Sequence, residues 1–97
     1  MSSQLNMMKV EFIVEHINQP KGDRPHIIVR QLVPGVDFSV SGKPYLNNVE
    51  VMPHLTSPRA VDEKGNPRFD LFIFYPAYRN EIKRFEKGMI VVLTTEK

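Results

Sequence analysis

Apolar and polar residues alternate along most of this chain with a period of two. From Met8 to Ile17, the residues Met8, Val10, Phe12 and Val14 fall on one side and Lys9, Glu11, Ile13 and Glu15 on the other. Successive side chains of a strand face opposite ways, so this pattern predicts a strand with one face on a core and one toward water. His26–Val33 predicts a second strand, antiparallel to the first across a loop punctuated by Pro20, Gly22 and Pro25. After the turn pair Pro34-Gly35, Val36–Ser41 predicts a third. After Gly42-Lys43-Pro44, Tyr45–Met52 predicts a fourth, with Tyr45, Asn47, Val49 and Val51 on one side. Arg68–Pro76 is the most apolar and aromatic run, with Phe69, Leu71, Ile73 and Tyr75 on one side and Phe72 and Phe74 on the other. A strand apolar on both sides is expected to be covered on both, which predicts the central strand of the sheet. Met89–Thr95 is β-branched and apolar on both faces, and predicts a last, internal strand.

Two stretches break this rhythm. Pro53–Pro67 is irregular, with room for a short edge strand at Leu55–Val61 weakened by Pro58, then a polar loop from Asp62 to Pro67. Ala77–Lys87 is the one helix candidate, because Tyr78, Ile82, Phe85 and Met89 recur at helical spacing ahead of Gly88. So short a helix is marginal alone and needs its apolar stripe packed. The organisation is a polar tail, residues 1–7, and a single β-rich domain, residues 8–97. The fold class is mainly β: a small OB-like barrel with one short helix near 77–87, an SH3-like barrel or an open α+β sheet being the alternatives.

Composition narrows the function classes. A chain of 97 residues holds one domain and one modest core. The absence of cysteine rules out disulfides and thiolate chemistry. No apolar run approaches the length of a membrane span, and no signal peptide is visible, so a cytoplasmic protein is expected. Thirteen basic and eleven acidic residues leave a net charge of +2, too balanced for a dedicated polybasic binder. Nucleic-acid binding then requires that cations gather on one face.

Candidate chemistry is sparse. His16, His26 and His54 lie at no metal-ligand spacing and read as rim histidines of a β domain, the first two near one another at the loop end of the first hairpin. Carboxylates are scattered, and no phosphate-cradling loop or nucleophile motif occurs. The expectation is a non-enzymatic protein with no metal and no cofactor. Aromatic and basic residues carry more. Lys43 and Tyr45 flank a turn, Arg24 lies in the first loop, Arg30 on the second strand, and Arg68 just ahead of the most apolar run. Single-stranded nucleic acid is bound by such parts, with cations along the phosphates and exposed rings under the bases, each stacked base contributing about 1–3 kcal/mol. The competing reading makes the phenylalanines core and the cations solvated surface.

Three pieces of sequence, in order, carry a family resemblance: Met8-Lys9-Val10-Glu11-Phe12; Ser41-Gly42-Lys43-Pro44-Tyr45; and Pro76-Ala77-Tyr78 followed by Gly88, Val91 and Leu93. Together they resemble the single-stranded DNA-binding proteins of filamentous phages. The resemblance implies an OB-fold dimer in which Tyr45 stacks on DNA beside Lys43. This chain departs from the family in a longer interval before Gly42 and in the helical stretch after Pro76. Two functions follow as expectations: a homodimeric binder of single-stranded DNA or RNA or, as the alternative, a protein-interaction module that dimerises or takes a protein partner.

Overall fold

The alternating first segment builds the middle of the sheet. A computed structural model describes residues 9–33, 38–40, 42–58 and 60–96. Its strands are β1 (Lys9–Asn18), β2 (His26–Gln31), β3 (Lys43–Leu46), β4 (Val49–Glu50), β5 (Leu71–Phe74) and β6 (Ile90–Glu96). They form one antiparallel sheet in the order β4-β3-β6-β1-β2-β5. The sheet curls on itself as a half-barrel, consistent with a small OB-like barrel. Val10, Phe12 and Val14 of β1 point into the core, as their spacing predicts. The register then slips at Glu15, where β1 bulges against β2 between Val14 and His16. An extra residue there shifts the alternation, so Ile17 rather than His16 turns to the core. β6 lies between β3 and β1 as an internal strand and buries Val91 and Leu93.

The two ends of the sheet meet. Beyond β4, Val51 bridges Pro76; Met52 donates its N–H to the Tyr75 carbonyl at 2.8 Å, and Ala77 donates to the Glu50 carbonyl at 2.9 Å. Further along, Thr56 bridges Ile73, whose N–H reaches the Thr56 carbonyl at 2.7 Å. These bonds satisfy backbone groups that two edge strands would otherwise leave open. A Phe12, Phe38, Phe72 and Phe74 cluster fills one side of the enclosed core, with edge-on ring centroids 5.1–6.0 Å apart.

Four expectations change. The Arg68–Pro76 run is not the central strand: only Leu71–Phe74 is strand, and it ends the six-stranded order. Phe72 and Phe74 face the core, while Leu71 is buried outside that cluster and Phe69 is 81% exposed. A two-sided apolar pattern reports coverage of a strand's faces and not its place in the sheet order; the outer edge of β5 is bridged at Ile73 by Thr56 of the irregular segment rather than by another regular strand. The expected strand Tyr45–Met52 is a hairpin. Asn47 and Asn48 take φ of 49° and 68°, which suits the tight turns that asparagine tolerates. The turn reverses the facing, so Leu46, Val49 and Val51 point inward and Tyr45 outward.

The expected helix at 77–87 is a six-residue 3-10 turn, Arg79–Arg84. Tyr78 at its start supplies no side-chain cap, and Phe85 at its end is already extended. Ile82 and Phe85 are buried and Met89 packs against the core, but Tyr78 is 61% exposed, so three of the four residues of the stripe are used. Of the expected third strand, residues 36, 37 and 41 lie outside the described residues; Phe38–Val40 is not strand, though Val40 and Phe38 join the core. The polar tail, residues 1–7, also lies outside them. Among the described residues no helix is long and apolar enough to cross a membrane.

Candidate nucleic-acid interface

The contact between the two ends of the curled sheet places two tyrosines on one outer surface. Tyr45 on β3 pairs with Glu50 on β4 and with Thr94 on β6. Its strand neighbours Pro44 and Leu46 are buried, so its half-buried ring faces out. Across the seam, Glu50 and Met52 bond to the backbone of Ala77 and Tyr75. Phe74 and Pro76 are fully buried, which turns Tyr75 outward between them. Strand spacing and rise put Tyr45 and Tyr75 roughly 12 Å apart on that face.

Tyr75 does not stand alone. The His26 ring lies 5.3 Å from it and the His54 ring 5.6 Å, both tilted by about 45°. Three segments supply these rings: the start of β2, the irregular stretch after β4, and the end of β5. His26 is held on both sides of its ring. Asn18 Nδ2 donates to His26 Nε2 at 2.9 Å, and His26 Nδ1 sits 3.4 Å from the Arg24 carbonyl, contacts that fit the Nδ1–H tautomer. His16 pairs with Ile28 and is exposed, one diagonal step from His26 on the same face of the hairpin, near its loop end as expected. Among the described residues no group of three or more His, Asp or Glu is placed to hold a metal ion.

The cations expected at the site divide into two sets. Lys43 is exposed at the start of β3, two residues from Tyr45. Arg24 is exposed in the β1–β2 loop, two residues from His26. Arg30 and Arg68 are elsewhere. Arg30 Nε donates to Glu15 at 2.7 Å, and Arg68 Nη2 donates to Asp70 at 2.9 Å. The pairs lie close enough that Arg30 acts on Asp70 and Glu15 on Arg68, an alternating group of four charges. The Arg68 hydrogen bonds hold the Asp70 carboxyl below its ordinary range against a smaller effect of burial. Tyr45 and Arg30 are separated by two intervening strands and four residues of register, roughly 20 Å. The structure therefore brings Lys43 and Tyr45 together and Arg24 to the Tyr75 group, and gathers Arg30 with Arg68 in a charge-balanced patch one strand and four residues of register from Tyr75, roughly 14 Å.

Beside Tyr45, an open groove of about 600 Å³ runs between the Asn47-Asn48 turn and the outer face of β1 and β6, lined in part by Val33, Val92, Thr94 and Glu11. The turn is fixed to β6 through Asn47, whose Oδ1 accepts the Val92 N–H at 2.9 Å. Sequence reasoning missed Tyr75, His26 and His54. Their one sequence signal is weak: Tyr75 directly precedes a proline, where a strand ends and a ring can turn outward. No family model, no curated protein and no solved structure matches this chain.

Proposed function

We propose that this protein binds single-stranded nucleic acid across the closed seam of its barrel, with bases stacked on Tyr45 and Tyr75. The observation that carries this reading is the Tyr75 ring flanked by His26 and His54 on the same outer face as Tyr45. Rings exposed at intervals along one surface suit bases, since every base has a π-face. Lys43 beside Tyr45 and Arg24 beside His26 supply cations at both ends of that strip. Glu50 lies between, so the strip reads ring faces and ends rather than offering one continuous positive field. The resemblance to the filamentous-phage single-stranded DNA-binding proteins supports the same role for Lys43 and Tyr45. A homodimer and a cytoplasmic location belong to this proposal.

Fluorescence anisotropy of a labelled single-stranded oligonucleotide, titrated at low and moderate salt, tests it. Binding that weakens steeply with salt is the expected result, because bound phosphates release counterions. No binding at either salt defeats the reading.

A second reading, a protein-interaction module, is favoured by one observation. Phe69 is 81% exposed and Val61 62%, both in the stretch between the barrel seam and β5. Exposed large apolar side chains in one segment are a feature of protein contacts. Light scattering after size exclusion, comparing the native chain with Phe69→Ser, reads this: an assembly that dissociates in the variant supports it, and a variant indistinguishable from the native chain opposes it.

A further inference from the structure

Five arginines are described, and their partners differ. Arg30, Arg68 and Arg84 are each bonded to a carboxylate, those of Glu15, Asp70 and Glu81. Arg24 and Arg79 meet no carboxylate within ion-pair distance among the described residues. These two are brought to one place. Arg79, the first residue of the 3-10 turn, donates from Nη2 to the Asp23 carbonyl at 2.8 Å, the residue next to Arg24. A carbonyl fixes a guanidinium without neutralising it, and one bond leaves four of its five donors open. Arg79 also borders a small cleft of about 190 Å³ between the β1–β2 loop and the turn, lined with Gln19, Pro20, Pro25 and Ile82. Pro25 and Ile82 are buried and give that cleft firm walls.

We infer that Arg79, with Arg24, is the phosphate-binding end of the interface, receiving the backbone phosphate next to the base that stacks on Tyr75. The inference deepens the proposed function and rests on it. The loop that carries Arg24 continues into His26, which touches Tyr75; Arg79 follows Tyr75 by four residues and returns to the same loop. A guanidinium presents its donors in a planar fork that matches a phosphate, and fixing one of them beforehand lowers the ordering cost of the rest. Two carboxylates lie near this end: Glu81 is paired with Arg84, and Asp23 Oδ1 accepts the Arg24 backbone N–H at 2.7 Å. No motif draws attention to Arg79; only the fold sets it beside Arg24.

The test is the salt dependence of oligonucleotide binding, measured by anisotropy on oligo(dT) for the native chain, Arg79→Gln, Arg24→Gln, and Arg30→Gln as the control. Each phosphate contact on a single strand contributes about 0.7 to the slope of log K against log salt. Arg79→Gln and Arg24→Gln are expected each to lower the slope by about that amount, while Arg30→Gln leaves it unchanged. If the native chain binds and Arg79→Gln keeps the full slope with unchanged affinity, the inference is overturned and the proposed function stands. If the native chain does not bind at all, both fall. A second arm separates a nucleic-acid strand from any polyanion: tripolyphosphate followed by amide chemical shifts. Shifts at Gln19, Arg24 and Arg79 that oligo(dT) reproduces together with shifts at Tyr75 support the inference. Tripolyphosphate shifts there that oligo(dT) does not reproduce overturn it.

Discussion

Two groups of aromatic rings occupy opposite faces of the same sheet. Phe12, Phe38, Phe72 and Phe74 meet inside, at centroid distances of 5.1–6.0 Å. His26, Tyr75 and His54 meet outside, at 5.3 and 5.6 Å. The distances are alike; what lies around the rings is not. Phe12 and Phe74 have no exposed surface, so each of their faces is spent on the core. Tyr75 is half-buried and His54 exposed, so these rings keep part of their surface in solvent. Ring contacts by themselves therefore say little about role. The inner group stabilises the fold through apolar burial, and the outer group positions planar surfaces at a seam the fold has already closed.

The sharpest break in this comparison is Phe12→Ala. Phe12 touches the three other rings from β1, and removing it leaves a cavity against Phe38, Phe72 and Phe74. Large-to-small changes of this kind cost about 3–5 kcal/mol, a large part of the stability of a domain this size. The expected result in urea denaturation is a midpoint lowered severely or a chain unfolded at room temperature. A loss under about 1 kcal/mol would mean that the inner rings are not the anchor described.

Tyr75→Ala is the matching change outside. The expected loss of affinity for a single-stranded oligonucleotide is about 5- to 150-fold, the equivalent of one stacked base. Its effect on the urea midpoint should be much smaller than that of Phe12→Ala. A Tyr75→Ala protein that loses stability but keeps native affinity would assign Tyr75 to the inner class.

How much of this contrast is legible in the sequence depends on how local its cause is. Val10, Phe12 and Val14 declare their facing through a period that a single strand fixes, and so do Val91 and Leu93. The register slip at Glu15 is invisible because no glycine or proline marks it. The reversal at Asn47-Asn48 was missed because an alternating pattern reads on through two polar residues, although both asparagines tolerate the φ they adopt. β5 misled in the other direction. Its outer residues are unequally covered, Leu71 buried, Ile73 half-buried and Phe69 exposed, and its outer edge pairs only with a segment without regular structure, which periodicity cannot place. Lys43 and Tyr45 were legible because they are neighbours. The Tyr75 group was not, because its three rings come from three segments: pairing of β2 with β5 sets His26 beside Tyr75, and the bridges Val51–Pro76 and Thr56–Ile73 bring in the stretch that carries His54. Arg30 and Arg68 looked equal to Arg24 in the sequence, since the carboxylate that neutralises Arg30 lies on another strand.

A smaller effect separates the two ends of the outer strip. Among the described residues no ring lies against Tyr45, whose cross-strand neighbours are Glu50 and Thr94. Its contribution should sit at the low end of the stacking range, about 1 kcal/mol or roughly fivefold in affinity. Tyr45→Ala and Tyr75→Ala measured side by side in anisotropy give the order. A larger loss at Tyr45 would move the centre of the interface toward the groove beside β6.

The smallest expected effect belongs to the charge-balanced patch, and pH gives its sign. Arg68 lowers the carboxyl of Asp70 in the folded protein relative to an unfolded value near 3.9. A depressed folded value means that the unfolded chain takes up a proton first as pH falls. The contribution of Asp70 to stability is therefore full well above that unfolded value and is lost as pH drops through the lower folded one. Asp70 is 28% exposed and Arg68 31%, so the pair is worth about 0.2–1 kcal/mol after solvent screening. Asp70→Asn should thus be slightly less stable than the native chain in urea at pH 7, with the difference shrinking toward zero near pH 2. Oligonucleotide affinity at pH 7 should change little, because Asp70 and Arg68 stand apart from the ring-bearing strip. A marked gain in affinity in Asp70→Asn would instead show that the freed Arg68 reaches the strand, and would extend the interface onto the patch assigned here to stability alone.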